Sequence, residues 1–290
     1  MSDPSVRLDD ETIHRMAGAL APRIAGQVGH TVVAALDEFE RRIVASAAAA
    51  AAPVAAPEPE PEPDPGSWES SMARDRADNR MTQLIMQYAL SVDDDCIDVG
   101  ANVGRVLEDI VRMAPQGRHV AFEPIPDHAA DLRRRFAQVD VHEAALAEEA
   151  GESSFVLVPE ATGYSGLRQR DYPASITATR EITVRLERLD DVIDADLCPR
   201  LLKVDVEGGE LGVFRGGRET ISRHRPIVVF EHGAHTSRDS YGTTSEEVHD
   251  VLVGDCGLRL YDLDGEGPLS RDEFVERAFA GLHWNWVAHG

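Results

Sequence analysis

Cysteine is scarce in this chain: Cys96, Cys198 and Cys256 are the only three in 290 residues. They are scattered, odd in number and show no Cys-x-x-Cys spacing. A disulfide framework or a cysteine-based zinc site needs clustered pairs, so both are excluded and free thiols in a reducing compartment are expected. Long apolar runs are missing too, since none approaches the roughly 20 residues needed to span a bilayer. Met1 is followed by Ser-Asp-Pro, without the basic stretch and apolar core of a secretory signal. The expectation is a soluble, cytoplasmic protein with no membrane insertion. Basic residues are few: 29 Lys and Arg stand against 52 Asp and Glu, a net charge of −23. Such a surface repels phosphate backbones and anionic lipid, so no nucleic-acid partner is expected. No Gly-x-Ser-x-Gly elbow occurs, which removes the α/β-hydrolase reading.

What is present falls into three regions. In residues 1–45 apolar side chains recur at Ile13, Met16, Leu20, Ile24, Val28, Val32, Leu36, Phe39 and Ile43, steps of three or four that predict an amphipathic helical segment. Pro22 should kink or restart it, and Gly18, Gly26 and Gly29 weaken it. A single stripe cannot bury itself, so it either folds back on the main domain or forms a homo-oligomer; self-association is favoured. Residues 46–67 run from an alanine tract through Pro53-Val-Ala-Ala-Pro57 into Glu-Pro repeats, the composition of an extended, solvated spacer. Residues 68–290 form the third region, the main domain, and carry the rest.

There, strand-like and helix-like segments alternate. Strands are expected at Cys96–Val99, His119–Phe122, Val139–His142, Leu201–Val206, Ile227–Phe230, Leu258–Leu263 and Trp284–Ala288. Helices are expected around Met81–Tyr88, Val103–Met113 and Asp127–Ala137. Two β-rich pieces, Ser154–Val158 and Glu181–Leu186, form an insert. Alternation of this kind predicts an α/β fold with a mostly parallel, doubly wound sheet. The last segments, joined by loops, suit an antiparallel strand at the end of that sheet.

The strongest local signal is Asp98-Val-Gly-Ala-Asn-Val-Gly104, which follows a strand and opens a helix. Gly100 permits a tight reversal, Gly104 a close approach of ligand or helix, and the free amides of the helix start face a ligand. Phe122-Glu123-Pro124 ends the next strand about 20 residues on, where an acid can take both ribose hydroxyls. These two elements do not by themselves separate S-adenosylmethionine from NAD. The middle Gly of a dinucleotide fingerprint is Asn102, however, and the position three beyond Gly104 is Leu107. A pyrophosphate would lose close backbone approach there, so a cofactor without phosphate is favoured.

Ile97-Asp-Val-Gly-Ala-Asn-Val-Gly104, Phe122-Glu-Pro124, Glu143-Ala-Ala-Leu146 and Leu202-Lys-Val-Asp-Val-Glu-Gly-Gly-Glu210 resemble, in order, the signature blocks of the FkbM-type methyltransferase family. Gly163-Tyr-Ser-Gly-Leu167, Arg188-Leu-Asp-Asp191 and Val229-Phe-Glu-His232 add to the resemblance, which is close from Cys96 to His232 and looser beyond. It implies a class I, Rossmann-like, seven-stranded and mostly parallel sheet, S-adenosylmethionine as donor, and O-methylation of a sugar, glycan or secondary metabolite. It makes Asp98, Gly100, Asn102 and Gly104 the methionine-side loop and Glu123 the ribose ligand. Glu143 and Ala144 fall beside the adenine, although many relatives carry Asn or Asp at the Glu143 position.

Asp205 and Glu207 are placed at the end of the fourth parallel strand, where their spacing points both side chains the same way. Their roles stay open among metal binding, orienting the sulfonium and activating an acceptor hydroxyl. Glu231 and His232 end the next strand, and His232 is the first choice of base because an imidazole titrates near neutrality. No complete metal-ligand set is evident, so no metal is expected. The alternatives are an NAD-dependent oxidoreductase and a non-catalytic methyltransferase-like scaffold.

Overall fold

A computed structural model describes residues 68–290 apart from 171, 173–175 and 282. The expected helical segment 1–45, the linker 46–67 and any self-association through them lie outside the described residues. The described residues 68–263 with 267–290 belong to one compact unit, which contains the sheet, its helices and the candidate site.

The unit opens with helix α1 (Trp68–Ala89) and strand β1 (Asp95–Val99). Helix α2 (Arg105–Met113), β2 (His119–Phe122), α3 (Pro126–Arg135) and β3 (Val139–His142) follow. The insert comes next, with β4 (Ala145–Leu146), β5 (Gly151–Leu157) and β6 (Arg180–Glu187). After it come the short helix α4 (Leu189–Val192), β7 (Pro199–Val204), helices α5 (Glu210–Gly216) and α6 (Arg218–His224), and β8 (Ile227–Glu231). Two short helices, α7 (Ala234–Thr236) and α8 (Ser245–His249), lead to β9 (Arg259–Asp262), α9 (Arg271–Ala280) and β10 (Asn285–His289). The main sheet has seven strands in the order β3-β2-β1-β7-β8-β10-β9, and only β10 runs antiparallel to its neighbours.

Residue type explains the two-sided burial. Along β1, β7 and β8 successive side chains alternate between two apolar layers, as a period of two requires. Ile97, Val99, Leu202, Val204, Val228 and Phe230 enter one core with Phe214 and Trp286. Cys96, Leu201, Ile227 and Val229 enter the other with Met86 of α1 and Ile110 of α2. Strands covered on both faces read as continuous Val/Ile/Leu runs, and each large side chain so buried contributes about 1.5–3 kcal/mol.

Two expectations are corrected. The antiparallel strand is not at the end of the sheet: β10 inserts between β8 and β9, and a helix with a Ser270–Glu273 capping box precedes it. The edge position falls to β9, and Trp286 of β10 is fully buried. The fourth parallel strand stops at Val204, not at residue 206, because the chain turns through Glu207 at φ 59° and Gly208 at φ 103°.

The insert is a separate three-stranded sheet, with β6 between β4 and β5. The connection from β5 to β6 carries a 3-10 turn at Thr162–Tyr164. A bridge between Val156 and Gly166 folds that connection back on β5.

Candidate active site

In a parallel sheet all strand C-termini share one edge, where ligands of open α/β folds bind. Asp98 of β1, Glu123 after β2, Asp205 and Glu207 after β7, and Glu231 at the end of β8 gather there. The turn after β1 is held by the Gly100 and Ala101 amides, which donate to the Phe122 carbonyl at 2.9 and 3.1 Å. Gly100 has φ 82°, and a Cβ there would lie 1.8 Å from the Asp205 carbonyl oxygen. This glycine thus lets the β1 and β7 ends touch. Gly104, at φ 80°, would press a Cβ to 2.6 Å from Leu132, so the close approach it permits is that of helix α3. Gly104 caps α2 without a side-chain bond.

Asn102 takes a left-handed conformation (φ 47°), which its short polar side chain tolerates better than most. Its amide donates to Glu123 Oε2 at 2.7 Å, and the Ile125 amide donates to Oε1 at 2.8 Å. Glu123 therefore braces the glycine turn, and each carboxylate oxygen keeps a second lone pair for a ligand hydroxyl. Burial raises its pKa to about 7 against the lowering by the two amides. Glu143 is half-exposed beside Arg133 at 3.1 Å, whereas Ala144 is fully buried.

Asp98 is buried, and its Oδ2 has no hydrogen-bond partner. It faces Lys203 in the β1–β7 register, a pairing that sequence reading missed although a lysine inside an apolar strand is itself a signal. Burial pushes Asp98 up to about 7, with Lys203 lowering it and Asp205 and Glu123 raising it. Lys203 Nζ donates to the Val204 carbonyl at 3.2 Å and stands 3.6 Å from Asp205.

Asp205 and Glu207 do not point the same way along a strand, since both sit in the turn after β7. The Asp205 side chain is 40% exposed and that of Glu207 16%. Glu207 Oε2 pairs with Arg170 of the insert at 2.7 Å. Burial first, then Asp205, raises Glu207 to about 8. Glu231 is held well above the ordinary carboxylate range by burial, Asp205 and Glu207. Among the described residues, no group of three or more His, Cys, Asp or Glu side chains is arranged to hold a metal ion.

His232 lies behind this edge. Its ring is buried, with Nε2 2.8 Å from Ser245 Oγ and Nδ1 3.3 Å from Ser237 Oγ. Glu210 Oε2 is 3.8 Å from Nδ1, and the Phe274 ring packs at 5.6 Å. Both nitrogens face protein groups, so in this geometry the imidazole offers none to an acceptor. His232→Ala should therefore cost about 2–4 kcal/mol of stability, from the cavity and the stranded Ser and Glu groups, in urea denaturation. Cofactor affinity should change little. Unchanged stability with a collapsed turnover number would return His232 to the role of base.

The insert reaches this edge at two points: Thr162 Oγ1 donates to Asn102 Oδ1 at 3.1 Å, and Arg170 meets Glu207. Ser165 is buried and accepts from the Val158 amide at 2.9 Å, so its hydroxyl fastens the turn. A polar cleft of about 580 Å³ lined by Arg188, Arg215 and Arg218 contains none of the strand-end residues. Its arginines are paired with Asp191, Glu148 and Glu247, and Asp255.

The chain is 30% identical over 145 residues to Methyltransferase 1 of Beauveria bassiana, a match covering 43% of this chain and 58% of that protein. It is 27% identical over 151 residues to the 2-O-methyltransferase NoeI of Sinorhizobium fredii, covering 46% and 61%. The chain thus spans about three fifths of the length of these two relatives. A crystal structure of methyltransferase FkbM from Methylobacillus flagellatus KT matches 69% of this chain and 44% of that one, at 19% identity and a TM-score of 0.44. The model of the methyltransferase FkbM domain matches residues 98–260, more than half of the chain and the whole strand-end edge from Asp98 through Glu231. With the glycine turn, the Asp98–Lys203 register and the turn after β7 all inside that span, the chain belongs to the FkbM methyltransferase family.

Proposed function

We propose that this protein uses S-adenosylmethionine to methylate a hydroxyl of a small-molecule or glycan acceptor. The observation that carries this reading is the crowding of acids at the strand-end edge, whose raised proton affinities a bound cation would relieve. Five acids converge there, Asp98 with a buried oxygen lacking a hydrogen-bond partner, and among the described residues Lys203 and Arg170 oppose them. A sulfonium and an ammonium suit such a site, whereas the pyrophosphate of NAD would be repelled by it. Glu123 would hold the ribose, the turn from Gly100 to Gly104 would follow the methionine side, and Asp98 would face a positive group. The cofactor supplies an electrophilic methyl group.

The chain's own part is to position the acceptor oxygen and take its proton. Positioning can contribute up to roughly 7–11 kcal/mol in favourable cases. The name of the Sinorhizobium relative, a 2-O-methyltransferase, supports a hydroxyl acceptor. Calorimetry should show binding of S-adenosylmethionine and S-adenosylhomocysteine with NAD and NADP silent. Glu123→Ala should weaken that binding by about 1.5–3 kcal/mol, the worth of hydrogen bonds to a charged group. A labelled methyl-transfer screen over glycans and polyketide-like alcohols then identifies the acceptor. Tight NAD binding without a response to S-adenosylhomocysteine would sink the reading.

A further inference from the structure

We propose that Arg170 anchors the α-carboxylate of the cofactor's methionine moiety, through the two guanidinium nitrogens that Glu207 leaves free. The inference rests on the cofactor reading above and extends it to a residue outside every signature block.

Arg170 uses Nη1 on Glu207 at 2.7 Å. Its Nε and Nη2 are buried and have no hydrogen-bond partner among the described residues. Buried guanidinium N–H groups without acceptors are costly and call for a ligand. The side chain is 14% exposed and is held in place. Its Cζ lies 5.0 Å from the Tyr164 ring centroid and 5.9 Å from that of Tyr172, within cation–π range.

Charge identifies the ligand group. The methionine end of the cofactor carries two cationic groups and one carboxylate. The carboxylates of Asp98, Glu123, Asp205, Glu207 and Glu231 suit the cations and repel the carboxylate, which needs a positive partner. Lys203 is already engaged, its Nζ bonded to the Val204 carbonyl and 3.6 Å from Asp205. Arg170 has the uncommitted donors, in the planar fork that matches a carboxylate. Its place agrees with this. The insert segment bearing Arg170 touches Asn102 through Thr162 at one end and Glu207 through Arg170 at the other. It thereby spans the two loops between which the methionine side is expected.

The test compares two nucleosides by calorimetry on the full chain. S-adenosylhomocysteine carries the carboxylate, and 5′-methylthioadenosine lacks the whole amino-acid portion. Arg170→Gln should weaken S-adenosylhomocysteine about tenfold to a hundredfold, the loss expected for a charge-assisted pair, and change 5′-methylthioadenosine less than about threefold. Arg170→Lys, which keeps the charge without the fork, should fall between. Equal weakening of both nucleosides by Arg170→Gln would mean that the residue only holds the insert in place, and would overturn the proposal. Unchanged S-adenosylhomocysteine affinity would overturn it as well. If wild-type protein binds neither nucleoside, it is the cofactor reading that fails.

Discussion

Gly100→Ala is expected to cost about 2–5 kcal/mol of stability and to weaken S-adenosylhomocysteine at least about tenfold. Two penalties combine. A residue with a Cβ pays about 1–2 kcal/mol for the left-handed conformation, and forcing atoms into a packed contact costs about 1–3 kcal/mol more. The contact is severe, since the new Cβ would stand 1.8 Å from the Asp205 carbonyl oxygen, which is backbone and cannot rotate away. Relief requires β1 and β7 to part at their C-terminal ends, and that movement displaces Asp205 and Glu207 together. Gly242→Ala is the control: it has φ 67° but nothing within 4 Å of its Cβ, so only the conformational penalty applies. Urea denaturation of both variants separates the effects. Equal losses at the two positions would show that the β1–β7 approach carries no energy.

Glu207→Gln is expected to lower the turnover number about 10²–10⁴-fold, the usual contribution of a general base, with cofactor affinity nearly unchanged. Among the acids at the strand ends, Glu207 combines burial, a pKa raised to about 8 and placement in the turn that faces the insert. A raised pKa makes a stronger base but leaves less of it ionised at neutrality. The rate should therefore rise with pH toward a plateau above the Glu207 pKa in wild type, and lose that limb in Glu207→Gln. Stability runs the other way. Asp98 and Glu123 titrate near 7 and Glu207 near 8 when folded, so the folded domain binds more protons than the unfolded chain from the ordinary carboxylate range up to those values. The stability of the cofactor-free domain should thus be greatest at the acid end of that window and fall as pH rises through it. A tenfold difference in one carboxyl's proton affinity between the folded and unfolded chain corresponds to about 1.4 kcal/mol. The rate is read in the methyl-transfer assay with an acceptor from the screen. Full turnover in Glu207→Gln across pH 6–9 would pass the role to Glu231.

Local chemistry made much of this protein legible in its sequence. The strands announce themselves as apolar runs of Val, Ile and Leu because both faces of the sheet are covered, and the glycine turn because only glycine accepts the backbone at position 100. Glu123 was legible because an acid ending the second strand has a fixed relation to that turn. Tertiary structure decided what depends on pairing between distant segments. It inserted β10 between β8 and β9, and it set Lys203 beside Asp98 through strand register. It ended β7 early enough to take Asp205 and Glu207 off the strand. It also sealed His232 between Ser237, Ser245 and Phe274, where neither ring nitrogen is presented to an acceptor. Arg170 belongs to no motif, and it becomes significant only because the insert folds its guanidinium onto Glu207 and leaves two buried donors unmatched. Periodicity and turn residues are written within a few positions of the chain, whereas solvent access and charge pairing are set by segments the sequence keeps far apart.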